Sequence, residues 1–278
     1  MRMHTAPVSA APRSYLDRGN PPGVLAFAHR GGALHPANLH LENTLQAFRN
    51  AYALGYRHLE TDVHLTKDGV LLAFHDEVLD RVTDATGAIA DLTYAQIVTA
   101  RIAGKHHIPT LAELFDALPE ARFNIDLKSD GCAEPLWRLI QERRAHERVL
   151  VGSFSSARLR EFRALSGGSV PTSAGPGEVA LFRLCPSGRL ASWLVSGAVE
   201  ALQIPVRSKR IPLATRAMIR RAHRAGVQVH VWTVDEPRLM GELIDRGVDG
   251  LISDRTDLLK EVLTQRGLWR ETDEQLDS

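Results

Sequence analysis

The sequence predicts an α/β fold, a closed (β/α)8 barrel with a small insertion after the second strand region. Three observations carry this reading. Short apolar runs and amphipathic helical stretches alternate about eight times, as in a parallel sheet with crossover helices. The chain has 278 residues, enough for two domains or one large barrel. Eight repeats in about 250 residues favour the closed barrel over an open sheet. The polar residues able to do chemistry fall at the C-terminal ends of the apolar runs, where such a barrel gathers its site.

Val24 to Ala28 is a buried strand that delivers His29-Arg30-Gly31-Gly32 to its C-terminal end. A loop follows to Leu41. Glu42 to Leu54 repeats apolar residues at helical spacing, and Gly55 closes the helix. Arg57 to Thr66 is the second strand. Its period of two puts Leu59, Thr61, Val63 and Leu65 on one face and His58, Glu60, Asp62 and His64 on the other. Lys67-Asp68-Gly69 is a hairpin turn, and Val70 to Phe74 is the return strand ending at His75-Asp76. Residues 77–107 read as an insertion, polar apart from one helical piece near Tyr94 to Thr99. Thr110 N-caps a helix to Leu118, and Arg122 to Lys128 is a strand with Asn124, Asp126 and Lys128 on one face. Helices at 133–146, 155–165, about 176–185 and 189–196 then alternate with strands at 148–152 and 169–173. Strands at 201–204, 227–232 and 249–252 alternate with helices at 213–225, 236–246 and 255–265. The barrel is expected over 23–267, with a flexible N-terminal tail over 1–22 and a charged C-terminal tail over 268–278.

Composition narrows the function. Net charge is +1, so nothing global favours nucleic acid or a membrane surface. No apolar stretch is long enough to span a bilayer, and the N-terminus lacks the pattern of a signal peptide. Cys132 and Cys185 match no metal spacing and read as reduced thiols of a cytoplasmic protein. The oligomeric state stays open.

Glu60 and Asp62 point the same way from an otherwise apolar strand, so their repulsion and lost solvation call for a compensator. With Asp126 they make an oxygen-only site suited to Mg²⁺ or Ca²⁺, which leaves positions for water and a substrate oxygen. Lys128, two residues from Asp126, reads either as an ion-pair partner or as a phosphate ligand. His29 and His75 flank the acids and can divide acid and base work near neutral pH. His58 and His230 sit deeper and read as core or as support behind the site, and the remaining histidines as structural.

The ordered set His29-Arg30-Gly31, Glu42-Asn43-Thr44, Glu60-Thr61-Asp62-Val63, Thr66-Lys67-Asp68-Gly69, His75-Asp76, Asp126-Leu127-Lys128 and Val231-Trp232-Thr233-Val234 resembles the glycerophosphodiester phosphodiesterases. The segment Gly247 to Asp254 resembles them too, and the match spans about Val24 to Leu263. The resemblance implies metal-dependent hydrolysis of glycerophosphodiesters to sn-glycerol 3-phosphate and an alcohol. It implies His29 and His75 as catalytic groups and Glu60, Asp62 and Asp126 as metal ligands. Arg30, Glu42, Lys128 and Trp232 would bind the substrate. Two positions depart from the family pattern: Asp126 stands where Glu is usual, and Leu41 where a proline precedes the Glu. A lysophospholipase D-like enzyme of the same superfamily is one rival; a barrel that binds phosphodiesters without turnover is the other. The intact histidine pair argues against the second.

Overall fold

The computed structural model describes residues 14–18, 23–185, 187–195 and 197–269. In chain order the strands are β1 (Leu25–His29), β2 (His58–Leu65), β3 (Leu71–Ala73), β4 (Arg122–Leu127) and β5 (Val149–Gly152), then β6 (Ala201–Pro205), β7 (Arg207–Ser208), β8 (Ile211–Pro212), β9 (Gln228–Trp232) and β10 (Gly250–Ser253). Parallel pairing runs β5-β4-β2-β1-β10-β9-β6. The expected strand at 169–173 shrinks to two parallel bridges, Val151 to Thr172 and Ser173 to Ala201. These two bridges join β5 to β6 and close the eight-stranded (β/α)8, or TIM, barrel.

The helices are α1 (Leu45–Ala53), α2 (Tyr94–Ile97), α3 (Leu111–Ala117), α4 (Ala133–Glu142), α5 (Ser156–Ser166), α6 (Pro176–Leu184), α7 (Gly188–Leu194), α8 (Arg216–His223), α9 (Pro237–Arg246) and α10 (Thr256–Gln265). Alternation along the strands divides the core. Leu59, Val63, Phe123, Ile125, Val151, Val229, Val231 and Leu251 point outward into the layer shared with the helices. Phe27, Leu150, Ala201 and Ile252 point into the barrel, where Tyr15 joins them. Each fully buried large apolar side chain contributes about 2–3 kcal/mol of transfer free energy.

Register sets the layers of the site. His29 pairs with Glu60, Glu60 with Asn124, and Asp62 with Asp126. The polar groups therefore stand one layer above Phe27, His58 and Arg122, which are themselves in register.

Several boundaries differ from the sequence reading. Helix α1 begins at Leu45 rather than Glu42, because Thr44 Oγ1 caps the Ala47 N–H and Asn43 takes a positive φ of 58°. Glu42 therefore lies in the preceding turn. The helix expected from 213 starts at Arg216, after an antiparallel β7–β8 ribbon that the pattern did not announce. The 77–107 insertion carries its own small core of Leu79, Ile89, Ile97, Ala100 and Ile102 against Leu72 and Phe74. Most of the tails expected over 1–22 and 268–278 lies outside the described residues. The described pieces are packed: Tyr15 is fully buried beneath the barrel, and Trp269 stacks edge-on against Tyr56.

Candidate active site

A cavity of about 660 Å³ opens at the C-terminal ends of the strands. His29, Arg30, Glu60, Asp62, His75, Asp126, Lys128 and Trp232 all line it. Of the residues singled out in the sequence only Glu42 stands back from the wall, and it is joined to Arg30 at 3.4 Å.

The turn after β1 sets the first part of the site. Arg30, Gly31 and Gly32 all have positive φ, at 49°, 83° and 85°. A Cβ on Gly31 would lie 2.8 Å from the Ala47 side chain, so only glycine fits there. For Arg30 the same conformation costs about 1 kcal/mol or more. It aims the Arg30 N–H at Glu60 Oε2, 3.1 Å away, while Arg30 Nε lies 3.3 Å from Asp62 Oδ2. Asn43 locks the neighbouring turn to β2, donating to Asp62 Oδ2 at 3.2 Å and accepting from Thr61 Oγ1 at 2.9 Å.

Each histidine rests on a carboxylate. His29 Nδ1 is 2.8 Å from Asp254 Oδ1, and its Nε2 is 3.7 Å from Glu60 Oε2. Burial alone would lower the His29 imidazole, but Glu60 and then Asp254 outweigh it and hold it above its ordinary value. Asp254 is oriented in turn by Asp235, which accepts from its N–H at 2.8 Å. His75 Nδ1 is 2.6 Å from Asp76 Oδ1, and the His75 carbonyl lies 3.1 Å from His64 Nε2.

The three acids meet different fates. Burial first, and Asp62 second, push the Glu60 carboxyl up to about 7. Asp62 is also buried, but Lys128 and then Arg30 overcome that and hold it below the ordinary carboxylate value. Asp126 is raised by burial, with Lys128 opposing. Lys128 Nζ sits 2.9 Å from Asp62 Oδ1 and 2.8 Å from Asp126 Oδ2. The trio expected as an oxygen-only metal site thus shares one wall, but a lysine ammonium lies between two of its members. Among the described residues no group of three His, Cys, Asp or Glu is arranged to hold a metal ion. The donor chemistry still suits a hard cation. Asp126 Oδ1 and Asn124 Oδ1 are buried without a hydrogen-bond partner, and Glu60 is raised by burial and by Asp62.

Phe154, Val179, Leu213 and Trp232 supply apolar lining to the same cavity, alongside Arg207 and Lys209, with the Phe154 and Trp232 rings edge to face at 5.7 Å. Sequence reasoning quoted Asn43 and Asp254 within motifs but gave them no role, and it missed Arg81. Asp254 carried a usable signal, because it follows the last strand directly. Arg81 lies in irregular chain and carried none. Both cysteines are buried and free. Among the described residues no helix is long and apolar enough to cross a membrane.

Residues 29–258 match the Glycerophosphoryl diester phosphodiesterase family. The chain is 41% identical to "Probable glycerophosphodiester phosphodiesterase 2" of Mycobacterium tuberculosis, over 89% of this chain and 93% of that one. It is 32% identical to the glycerophosphodiester phosphodiesterase of Caldanaerobacter subterraneus subsp. tengcongensis, over 88% and 99%. A crystal structure from Silicibacter pomeroyi DSS-3, named for the same activity, superposes with a TM-score of 0.75 at 26% identity, covering 92% of this chain and 98% of that one.

Proposed function

The chain belongs to the glycerophosphoryl diester phosphodiesterase family, and from that premise we propose that it hydrolyses glycerophosphodiesters to sn-glycerol 3-phosphate and an alcohol by histidine acid–base catalysis. It is a phosphoric diester hydrolase. One observation carries the histidine assignment: His29 and His75 both line the cavity, and each is fixed through Nδ1 by a carboxylate. That arrangement holds one tautomer and leaves Nε2 to handle a proton, which is the logic of carboxylate–histidine pairs generally.

In this reading one histidine takes the proton from the attacking oxygen, the glycerol 2-hydroxyl or water, as it bonds to phosphorus, and the other protonates the alcohol as its P–O bond breaks. Where the 2-hydroxyl attacks, water then opens the cyclic phosphate to sn-glycerol 3-phosphate. Arg30 and Lys128 offset the charge that builds on the phosphoryl oxygens. Glu42 orients Arg30, and Trp232 forms an apolar wall for the glycerol. Glu60, Asp62 and Asp126 are the residues that would hold a divalent cation, Mg²⁺ or Ca²⁺. Such a cation supplies Lewis-acid polarisation of a phosphoryl oxygen. A second substrate class, lysophospholipids, is favoured by the apolar lining from Phe154, Val179 and Leu213.

The test is release of glycerol 3-phosphate from a panel of glycerophosphodiesters, with Mg²⁺, with Ca²⁺ and with chelator. Turnover of at least one diester that falls on chelation is the expected result. Cation-dependent cleavage of lysophospholipids alone would select the second reading, and no cleavage of any diester would defeat both.

A further inference from the structure

We propose that Arg81, a residue of the insertion, is a positioning residue for His75, acting through Asp76. This rests on His75 taking part in the hydrolysis proposed above.

The geometry is a fork on two carboxylates. Arg81 Nε lies 2.5 Å from Asp76 Oδ2 and Nη2 3.2 Å from Asp76 Oδ1. The same guanidinium reaches Glu42 with Nη1 at 2.9 Å and Nη2 at 2.6 Å. Paired N–H bonds to a carboxylate fix direction as well as distance. Asp76 in turn holds His75 Nδ1 at 2.6 Å. A single guanidinium therefore spans two segments that share no backbone pairing: the turn before α1, through Glu42, and the chain leaving β3, through Asp76.

The insertion is built to hold Arg81 still. The Thr83 N–H donates to the Leu79 carbonyl at 3.2 Å, and the Thr83 hydroxyl donates to the same oxygen at 2.8 Å. These bonds close a turn with Arg81 at its middle. Leu79 is buried in the insertion core, and a Val78–Ala88 bridge ties the base of the turn. The Arg81 side chain is 48% exposed, so an isolated pair there would add little stability. Its value lies in orientation. A histidine that shuttles a proton must present one ring nitrogen in one direction, and a carboxylate that can swing cannot enforce this.

The experiment uses the full chain, with Arg81→Ala, Arg81→Lys, Asp76→Ala and the Arg81→Ala/Asp76→Ala pair. Arg81→Ala is expected to lower kcat about 10–100-fold with KM shifted less than about threefold, the signature of a group acting in the chemical step. Added guanidinium ion should restore part of that loss. Arg81→Lys keeps the charge without the fork and should recover only partly. The double variant should lose clearly less than the two single losses combined, since the path through Asp76 to His75 is shared and only the bonds from Arg81 to Glu42 are lost besides. A readout independent of turnover follows the His75 ring N–H by proton NMR, assigned by its absence in His75→Ala. This proton should be protected in the wild type and exchange-broadened in Arg81→Ala. Losses that add in the double variant, a wild-type kcat in Arg81→Lys, or a raised KM at unchanged kcat would overturn the proposal. A wild-type protein that cleaves no glycerophosphodiester defeats the functional reading alone, and the ring proton still decides on Arg81.

Discussion

His230 and His29 stand on strands of the same barrel, His230 deeper than His29, yet their surroundings drive them in opposite directions. His230 is fully buried, packs at 4.9 Å against the Phe27 ring, and has Gln228 Oε1 3.0 Å from Nε2 and Gln203 Nε2 3.4 Å from Nδ1. One ring nitrogen faces an amide acceptor and the other an amide donor, so the neutral ring is the form that fits. Burial lowers it to about 3, with His58 and Arg18 adding to the effect. His58, in the same lower layer, is lowered to about 4 by burial and then by Arg122. His29 is buried too, but it faces two carboxylates and is raised. Burial alone therefore does not decide whether a histidine is structural or chemical. The partner on the adjacent strand decides, and moving two residues along a strand is enough to change it.

The sharpest test of this contrast is to remove the upper histidines. His29→Ala or His75→Ala should lower turnover about 10²–10⁴-fold, the usual range for a positioned proton-transfer group. Thermal unfolding should change little, because neither side chain is part of the apolar core. A nitrophenyl diester needs no acid, so one of the two variants should be largely restored by it and the other not. Equal restoration of both, or of neither, would leave the histidines as purely electrostatic groups.

Lys128 gives the next largest effect. It lies between Asp62 and Asp126 and lines the cavity. Lys128→Ala should raise KM and lower kcat together, by about tenfold or more overall, because its charge holds the bound phosphate and acts more strongly still on the charge that builds in the transition state. A change in kcat alone, measured by steady-state kinetics, would move Lys128 out of substrate binding.

The smallest effect probes the lower layer. His230 has a folded pKa below its unfolded value near 6.5, so the unfolded chain binds the extra proton first. Its contribution to stability is present above about 6.5 and is lost as pH falls toward about 3. Denaturant titrations should show a loss of roughly 1 kcal/mol per pH unit in that window from this group. His230→Gln should flatten that slope while leaving turnover at neutral pH within about threefold. An unchanged slope would mean that His230 is not neutral in the folded protein.

Much of this contrast could be read before any coordinates. The period of two placed Glu60 and Asp62 on the face of His58, and the strand-end rule gathered His29, His75, Asp126 and Trp232 at one mouth. Both signals come from regular backbone, in which sequence spacing translates directly into direction. Where the backbone is irregular the signal fails. Arg30 and Asn43 take positive φ, and Glu42-Asn43-Thr44 reads as the first turn of a helix until the Thr44 cap displaces the start to Leu45. Arg207-Ser208-Lys209-Arg210 shows no apolar alternation, so its ribbon stayed hidden. The spacing offered Lys128 as an ion-pair partner of Asp126, but not as a bridge between two acids. Asp126 and Lys128 share a face, but only the pairing of β4 with β2 brings Asp62 to the same ammonium.

Barrel closure has a consequence for the order in which the protein becomes competent during synthesis. Of the described strands β1 is made first and β10 last, and they pair directly. His29 therefore waits for Asp254, 225 positions downstream, before its ring is fixed. His75 needs only Asp76, Arg81 and Glu42, all within 39 positions of one another. Contacts of such different separation form on different schedules. A ribosome-bound chain can set His75 early, while His29 stays unset until β10 has emerged and docked.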